Sequence, residues 1–314
     1  MSARVRVPAS SSNLGAGFDC IGVAVDRWLV ATAAPAPGNT ISIRRRGRLT
    51  AVSVPLDDDL LARGFRAACA AAAVPLAGAA IDATSDIPVG CGLGSSAAAI
   101  VAGVLLADAA LELNLTRQRV LEIAAAIEGH PDNVAPAVCG GAVLTVRTPA
   151  GIVSTSLKVA DGLELVLVVP PFPSDTKAAR ALLPKTLPHA DAVVAASRAA
   201  ALVQGLSTGD GVLLGAALDD VLHVPFRRGR IPGYDAVVTA AQHAGAFGAT
   251  LSGAGSAILA IAPRERSVQV GAAMIAAWRA AGIEAELIRG GHPVPGATVT
   301  RIPQMIHPVS TELS

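Results

Sequence analysis

Ile87-Pro-Val-Gly-Cys-Gly-Leu-Gly-Ser-Ser-Ala-Ala98 decides how this chain is read. Residues 79–86 before it read as a strand, which feeds three glycines spaced by two. Two serines then open an alanine-rich helix that extends to about residue 113. Glycines at these positions let the backbone turn sharply, and let its N–H groups approach a ligand with no Cβ in the way. The helix points its unpaired amides and its positive dipole end at the same spot, which makes an anion site. The Ser95 and Ser96 hydroxyls can bond phosphate oxygens or a magnesium ion. The spacing GxGxGSS is not a Walker loop, because no lysine follows the glycines, and it is not the GxGxxG of dinucleotide folds. Alone, the segment could also be a flexible glycine turn with a serine N-cap.

Composition narrows what surrounds this loop. Hydrophobic residues make up 52% of the 314 and charged ones 16%, which excludes a disordered chain. Twenty-five Lys plus Arg against 24 Asp plus Glu leave +1, so no charge excess advertises nucleic acid or an acidic membrane. The lysines are Lys158, Lys177 and Lys185 alone, so no mechanism can draw a lysine from the first half. Residues 87–107 carry no formal charge, but Pro88, Gly90, Gly92 and Gly94 interrupt them, and the helical remainder is too short to span a bilayer. The amino terminus alternates arginine and valine, without the apolar core of a signal peptide. Cys20, Cys69, Cys91 and Cys139 are widely spaced with no CxxC pair, which suits a reducing cytoplasm rather than a disulfide scaffold or zinc site.

Strand patterns occupy residues 4–8, 23–32 and 39–46, with a turn-rich segment at 10–19. Asp57-Asp58-Asp59 opens a helix to about residue 73 with Leu60, Leu61, Phe65 and Ala68 on one face. Residues 114–116 cap a helix over 117–127 that ends at Gly129. Strands follow at 143–146 and 163–169, the latter apolar enough to be buried on both faces. Helical patterns cover 191–204, 211–218, 234–244 and 264–281; strands cover 246–250, 257–262 and 285–288. Beyond Gly290 the chain is polar and proline-punctuated, with little structure expected. A boundary falls near 155–160, dividing the chain into 1–157 and 158–314.

Two further segments carry chemistry. Glu128-Gly-His-Pro-Asp-Asn133-Val-Ala-Pro136 lies at a helix end, where a carboxylate could complete magnesium coordination with a serine hydroxyl. The alternative is that Asp132 and Asn133 merely cap the short helix after them, with His130 on the surface. Thr250-Leu-Ser-Gly-Ala-Gly-Ser256 is a glycine turn between strands, weak by itself.

With Pro8-Ala-Ser-Ser-Ser-Asn-Leu-Gly-Ala-Gly-Phe-Asp19, these segments resemble the GHMP small-molecule kinases, and within them the branch whose substrate is L-homoserine. PxxxGLGSSAA is similar to the superfamily's phosphate loop and LSGAG to its third motif. SxNLGxGFD, EGHPDNVAPA, Ser174-Asp-Thr-Lys-Ala-Ala-Arg180 and Pro225-Phe-Arg227 carry the branch. The resemblance implies an α+β fold of two domains: an amino-terminal domain like ribosomal protein S5 domain 2 and a ferredoxin-like carboxy-terminal domain. It implies transfer of the ATP γ-phosphoryl group to the side-chain hydroxyl of L-homoserine, on the way to threonine, in a cytoplasmic enzyme. Families of this kind are often homodimeric.

Site residues follow from the same match. Pro88, Val89, Gly90, Cys91, Gly92, Leu93, Gly94, Ser95, Ser96, Ala97, Ala98, Asp59, Ser252, Gly253 and Gly255 are expected around ATP. Ser96 and Glu128 would hold Mg2+, with Glu122 a weaker rival. A zwitterionic substrate needs an anion and a cation clamp: Asn13 and Asp19 for its ammonium, Arg180 and Arg227 for a bidentate grip on its carboxylate. Taken singly, each arginine reads as a solvated surface residue. His130 and Asp132 match positions near the substrate, Asn133 the position beside the reacting hydroxyl, and Thr176 a hydroxyl near the transferred phosphate. Members such as mevalonate kinase use an Asp base and a Lys. Here Asn133 stands at that Asp, so catalysis by alignment and charge is implied, with Asp132 the rival base. Three residues depart from the pattern. Asp59 replaces a frequent Asn, and a carboxylate accepts but does not donate toward the purine. Cys91 within the loop either points away or, at a helix start, has a lowered pKa. Ser256 replaces a frequent proline. The competing readings are another small-alcohol kinase of the superfamily and a catalytically silent sensor on the same fold.

Overall fold

The computed structural model describes residues 2–302. The first half holds β1 (Ser2–Asn13), β2 (Gly17–Pro35), β3 (Ile41–Gly47), α1 (Leu60–Ala71), β4 (Ala79–Ser85), α2 (Ser95–Leu111), α3 (Arg117–Glu128), α4 (Val134–Cys139), β5 (Ala142–Thr148) and β6 (Gly151–Leu157). In β1 the alternation is read directly as burial: Val5 and Val7 face the core while Arg4 and Arg6 face out. The long β2 serves two neighbours on one edge, pairing β5 through Ile21–Val23 and β4 through Leu29–Pro35. The sheet runs β11-β1-β2-β4-β3, where β11 is Thr298–Ile302, and only β3 with β4 is parallel.

Helix α2 packs against β1, β2, α1 and α3. It is buried on nearly all sides, which accounts for its single charge, Asp108 in the last turn, and for its lack of an apolar stripe. The flanking helices obey local rules. The Asp59 carboxylate accepts from the Leu61 and Ala62 amides at the start of α1, and Thr116 Oγ1 accepts from Arg119 N at the start of α3.

The second half holds β7 (Leu163–Val169), α5 (Thr176–Ala181), α6 (His189–Thr208), α7 (Gly211–Leu218), α8 (Val224–Arg227), α9 (Tyr234–His243), β8 (Gly248–Leu251), β9 (Ile258–Pro263), α10 (Ser267–Ala280) and β10 (Glu286–Gly291). Its antiparallel sheet is ordered β10-β7-β9-β8. That places the half's fourth, first, third and second strands side by side, the ferredoxin-like arrangement. Val166 and Val168 of β7 face a core with Val237, Met274 and Trp278. Leu165 and Leu167 face the other core with Leu202, Leu206 and Leu214. Both faces of β7 are covered, so its sequence is apolar without alternation. The fold is the expected two-domain α+β architecture.

Two expectations are corrected. Residues 10–13 are not a turn: β1 runs unbroken through them, with Ser10, Ser11 and Ser12 buried, and the turn is confined to 14–16. The segment after Gly290 is not structureless as far as residue 302, because β11 pairs antiparallel with the free edge of β1, and residues 303–314 lie outside the described residues. All five of its residues are exposed, so no burial pattern marked it in the sequence. The two-residue turn between β5 and β6 closes a hairpin that the sequence reading passed over.

Candidate active site

The glycine loop delivers an uncapped helix start. Gly94 takes the N-cap place of α2 in a left-handed conformation, φ +64, and no side chain bonds the first amides. Its pro-Cβ direction points at 2.1 Å from Ser10 Oγ and 3.1 Å from Asn133 Oδ1, so no larger residue fits without displacement. The loop carbonyls are taken by the protein: Ser174 N donates to Gly90 O (2.7 Å), Ala257 N to Cys91 O (3.1 Å), Ser252 Oγ to Gly92 O (2.6 Å) and Ser10 N to Leu93 O (3.1 Å).

The end of β1 ties the segments together. Ser10 Oγ donates to Asn133 Oδ1 at 2.9 Å, and Asn133 Nδ2 donates to Ser12 Oγ at 2.9 Å. Ser10 and Ser12, two residues apart on a strand, face the same way. Ser11 faces Ser252, with 2.8 Å between hydroxyls, and Gly253 N donates to Ser12 O. Asn133 therefore does not cap α4; its amide is oriented by two buried hydroxyls. Asn13 Nδ2 donates to Gly253 O (2.9 Å), while its Oδ1 accepts from Asp19 N (3.0 Å). Asn13, Leu14 and Asp19 all have positive φ, a conformation that costs non-glycine residues ~1–3 kcal/mol each and is sustained here by this bonding.

Opposite the helix start, Ser96 Oγ donates to Glu128 Oε1 at 2.5 Å. Burial pushes the Glu128 carboxyl up, against the lowering effect of Ser96 and His130. His130 Nδ1 lies 2.7 Å from Asp132 Oδ1, which also accepts from Asn133 N. Burial works to lower His130, but the bond and charge of Asp132 outweigh it, so the imidazole is raised. Glu122 is half-buried on α3 and is paired with Arg119 and Gln118 rather than with Ser96.

The cationic side comes from the second half. Arg180 donates both Nη1 and Nη2 to the Asp19 carboxylate, at 2.9 and 2.7 Å. Burial works to raise Asp19, but Arg180 overrides it and the carboxyl stays below its ordinary value. Arg227 is 3% exposed; its Nε donates to Ala179 O (3.3 Å) and its Nη1 approaches His223 Nδ1 (3.2 Å) and Gly253 O (3.4 Å). Both guanidinium groups lie over the Phe18 ring, at 5.9 and 5.3 Å from its centroid. The two arginines differ from the expected pair of open forks: Arg180 is closed on Asp19, and Arg227 has spent one side of its fork on the protein.

One cleft is lined by Asn13, Asp19, Gly90, Gly92, Gly94, Ser95, Ser96, Glu128, His130, Asp132, Asn133, Thr176, Arg180, Arg227 and Gly253. Asp59 and Val89 line a second, more apolar cavity of about 410 Å³, with Leu29, Ile43, Leu49 and Val52; Gly90, Ser95, Ser96 and Thr176 border both. Pro88, Cys91, Leu93, Ala97, Ala98, Ser252 and Gly255 are buried and line neither. Asp59 offers little to a base there, since it caps α1 and forms an ion pair with Arg45. The alternative of an activated Cys91 is corrected: its thiol donates to Val89 O, and burial pushes its pKa up. Sequence reasoning missed Ser10, Ser12, Phe18, Arg45 and His223. The period of two from Asn13's strand and the i, i+4 spacing of His223 to Arg227 were the available signals.

The chain is similar to known proteins in sequence and in fold. Residues 59–141 match the model of the GHMP kinases N terminal domain, and residues 199–280 that of the GHMP kinases C terminal domain. The chain is 40% identical over 285 residues to a homoserine kinase of Trichormus variabilis, covering 90% of this chain and 94% of that one. It is 39% identical over 311 residues to a homoserine kinase of Synechocystis, covering 96% and 99%. The crystal structure of homoserine kinase from Cytophaga hutchinsonii superposes with a TM-score of 0.87 at 30% identity, covering 95% of this chain and 97% of that one.

Proposed function

The chain belongs to the GHMP kinase family, in its homoserine kinase branch, and from that premise we propose how its cleft acts. It transfers the γ-phosphoryl group of ATP to the side-chain hydroxyl of L-homoserine, giving O-phospho-L-homoserine. The carrying observation is convergence: an uncapped helix start for phosphate and a set of opposite charges for an amino acid border one cleft.

The nucleotide's base and ribose would occupy the apolar cavity, with the phosphates over Gly90 to Ser96 at the border between the two spaces. The residues present fit a magnesium ion. Ser96 and Glu128 are two oxygen donors already in contact. That suits an ion that keeps water and phosphate ligands. Bound there, magnesium would neutralise charge on the phosphate oxygens. In this reading Ser96 fixes the Glu128 carboxylate toward the loop, and the α2 amides with Thr176 hold the phosphoryl oxygens.

The amino acid's ammonium would take Asp19 and its carboxylate Arg180 and Arg227. Entry then exchanges the internal Asp19–Arg180 pair for two pairs with substrate. Asn13 is a positioning residue, since its amide is consumed holding the strained turn to Gly253. Asn133 would orient the reacting hydroxyl but has no lone pair basic enough to take its proton. Asp132 Oδ1 is engaged by His130 and by the Asn133 amide, so we assign no side-chain base; the proton passes late to the phosphoryl oxygens. Residues 1–157 supply the phosphate loop and residues 158–314 the arginines. Four free cysteines fit a cytoplasmic setting. No helix among the described residues is long and apolar enough to cross a membrane.

The test is ADP release with ATP and magnesium against L-homoserine, mevalonate, galactose, L-threonine and L-serine. Turnover confined to homoserine, with phosphohomoserine as product, is expected. Turnover with another alcohol alone would keep the phosphate loop and overturn the amino-acid clamp.

A further inference from the structure

Arg227 does not stand alone at the cleft. His223, fully buried, is the residue that opens α8, one turn ahead of Arg227, with Nδ1 at 3.2 Å from Arg227 Nη1. A guanidinium only donates, so Nδ1 must accept, and the imidazole's proton resides on Nε2. There it meets Gly15 O at 3.3 Å, in the turn that leads to Asp19. Phe18 stacks on the imidazole at 4.9 Å between centroids and 22° between planes. Asp220 holds this segment from below, its carboxylate accepting from the amides of Leu222, His223 and Val224.

The donors of Arg227 can then be apportioned. Nε is committed to Ala179 O and Nη1 to His223 and Gly253 O, which leaves Nη2 with no protein partner among the described residues. The geometry points to His223 as a positioning residue that takes up Nη1 of Arg227, aims Nη2 into the cleft and so sets affinity for the substrate's carboxylate. The inference rests on the reading of that cleft as an amino-acid site. A protonated ring could not do this, since it would present a second donor and a like charge to Arg227. Burial pushes the His223 pKa down to about 4, which Asp220 only partly opposes, so the ring is neutral where the enzyme works. Neutrality also avoids adding a third cation beside Arg180 and Arg227.

The test compares wild type, His223→Leu and His223→Asn, each also with Arg227→Ala. The Asn Oδ1 sits where Nδ1 does and can accept from Arg227; Leu fills similar space and cannot. We expect His223→Leu to raise KM for homoserine about tenfold, leave KM for ATP within twofold, and have no further effect once Arg227 is Ala. His223→Asn should recover most of the loss. Equal losses in Leu and Asn, a parallel rise in KM for ATP, or an effect that persists in Arg227→Ala would each reduce His223 to packing. A second readout does not depend on the substrate. Imidazole 15N spectra should show the Nε2–H tautomer between pH 6 and 8, with the Nδ1 resonance moved by Arg227→Lys. An Nδ1–H tautomer would overturn the assignment whether or not homoserine is phosphorylated, whereas absent homoserine turnover with the expected spectra would overturn only the substrate reading.

Discussion

Replacing Gly94 by Ala tests how the phosphate loop is coupled to Asn133. The new Cβ would lie 2.1 Å from Ser10 Oγ and 3.1 Å from Ser10 O, at a residue with φ +64. Gly282 is the natural control: its φ is +75 and nothing lies within 4 Å of a Cβ there. Left-handed backbone costs an L-residue ~1–2 kcal/mol, and this term is common to Gly94→Ala and Gly282→Ala. Only Gly94→Ala must also expel the Ser10 hydroxyl, which gives up its bond to Asn133 Oδ1. A net ~1 kcal/mol for that bond and ~1 kcal/mol for the displaced rotamer make a difference of about 2 kcal/mol. At ~2 °C per kcal/mol, suited to a long chain, Gly94→Ala should melt roughly 4 °C below Gly282→Ala in scanning calorimetry. With Asn133 held by Ser12 alone, turnover should fall about 10- to 100-fold, while Gly282→Ala keeps it. In a Ser10→Ala background the 2.1 Å clash is gone and only the 3.1 Å contacts to the residue 10 carbonyl and to Asn133 Oδ1 remain, so adding Gly94→Ala should cost little beyond the backbone term. Equal melting of the two glycine variants, with turnover intact, would refute the claim that Ser10 transmits loop geometry to Asn133.

Three other outcomes follow from charges in the cleft. Burial raises Glu128, so its ionised form costs the empty fold stability, a cost that grows as pH rises from the ordinary carboxylate range through the folded pKa. Glu128→Gln should therefore melt higher than wild type at pH 7–8 without ligands, converge with it near pH 4, and turn over far more slowly; a lower melting point at pH 7 would contradict this. Asp19 is lowered by Arg180 despite its burial, so the stability it lends is present above the ordinary Asp value and lost as pH falls through the folded pKa. Acid unfolding of Asp19→Asn should be less steep there, by a modest amount because both partners are more than a third exposed, and an unchanged slope would count against the pair. Arg227→Lys keeps the charge but loses the fork that serves Ala179, His223 and substrate together; KM for homoserine should rise at least tenfold, read by steady-state kinetics, with KM for ATP unchanged.

Much of the architecture was legible locally. Thr116 and Gly129 bracket α3 as capping chemistry requires, and α7 spans the same Gly211–Leu218 in pattern and in structure. What escaped was segmental pairing without a burial signature. Strand β11 is exposed along its length and pairs with β1 through backbone bonds, which no side-chain pattern reports. Ser10 to Asn13 read as a turn because serine and asparagine favour turns; their burial in β1 is sustained by partners more than a hundred residues away.

The amino-acid sequence by itself determined that the chain presents a phosphate loop opening a helix, that no lysine from the first half serves it, and which carboxylates and arginines are candidates for the cleft. These are matters of spacing and residue type, and they persist in any fold that keeps strand, glycines and helix in order. Tertiary structure alone decided how those side chains are used. It closes Arg180 on Asp19, gives Asn133 to two serines rather than to a helix cap, and divides the donors of Arg227 between His223 and the cleft. The reason is physical: a hydrogen bond acts over about 3 Å and depends on direction, and the partners that set those directions come together only when the two sheets are packed.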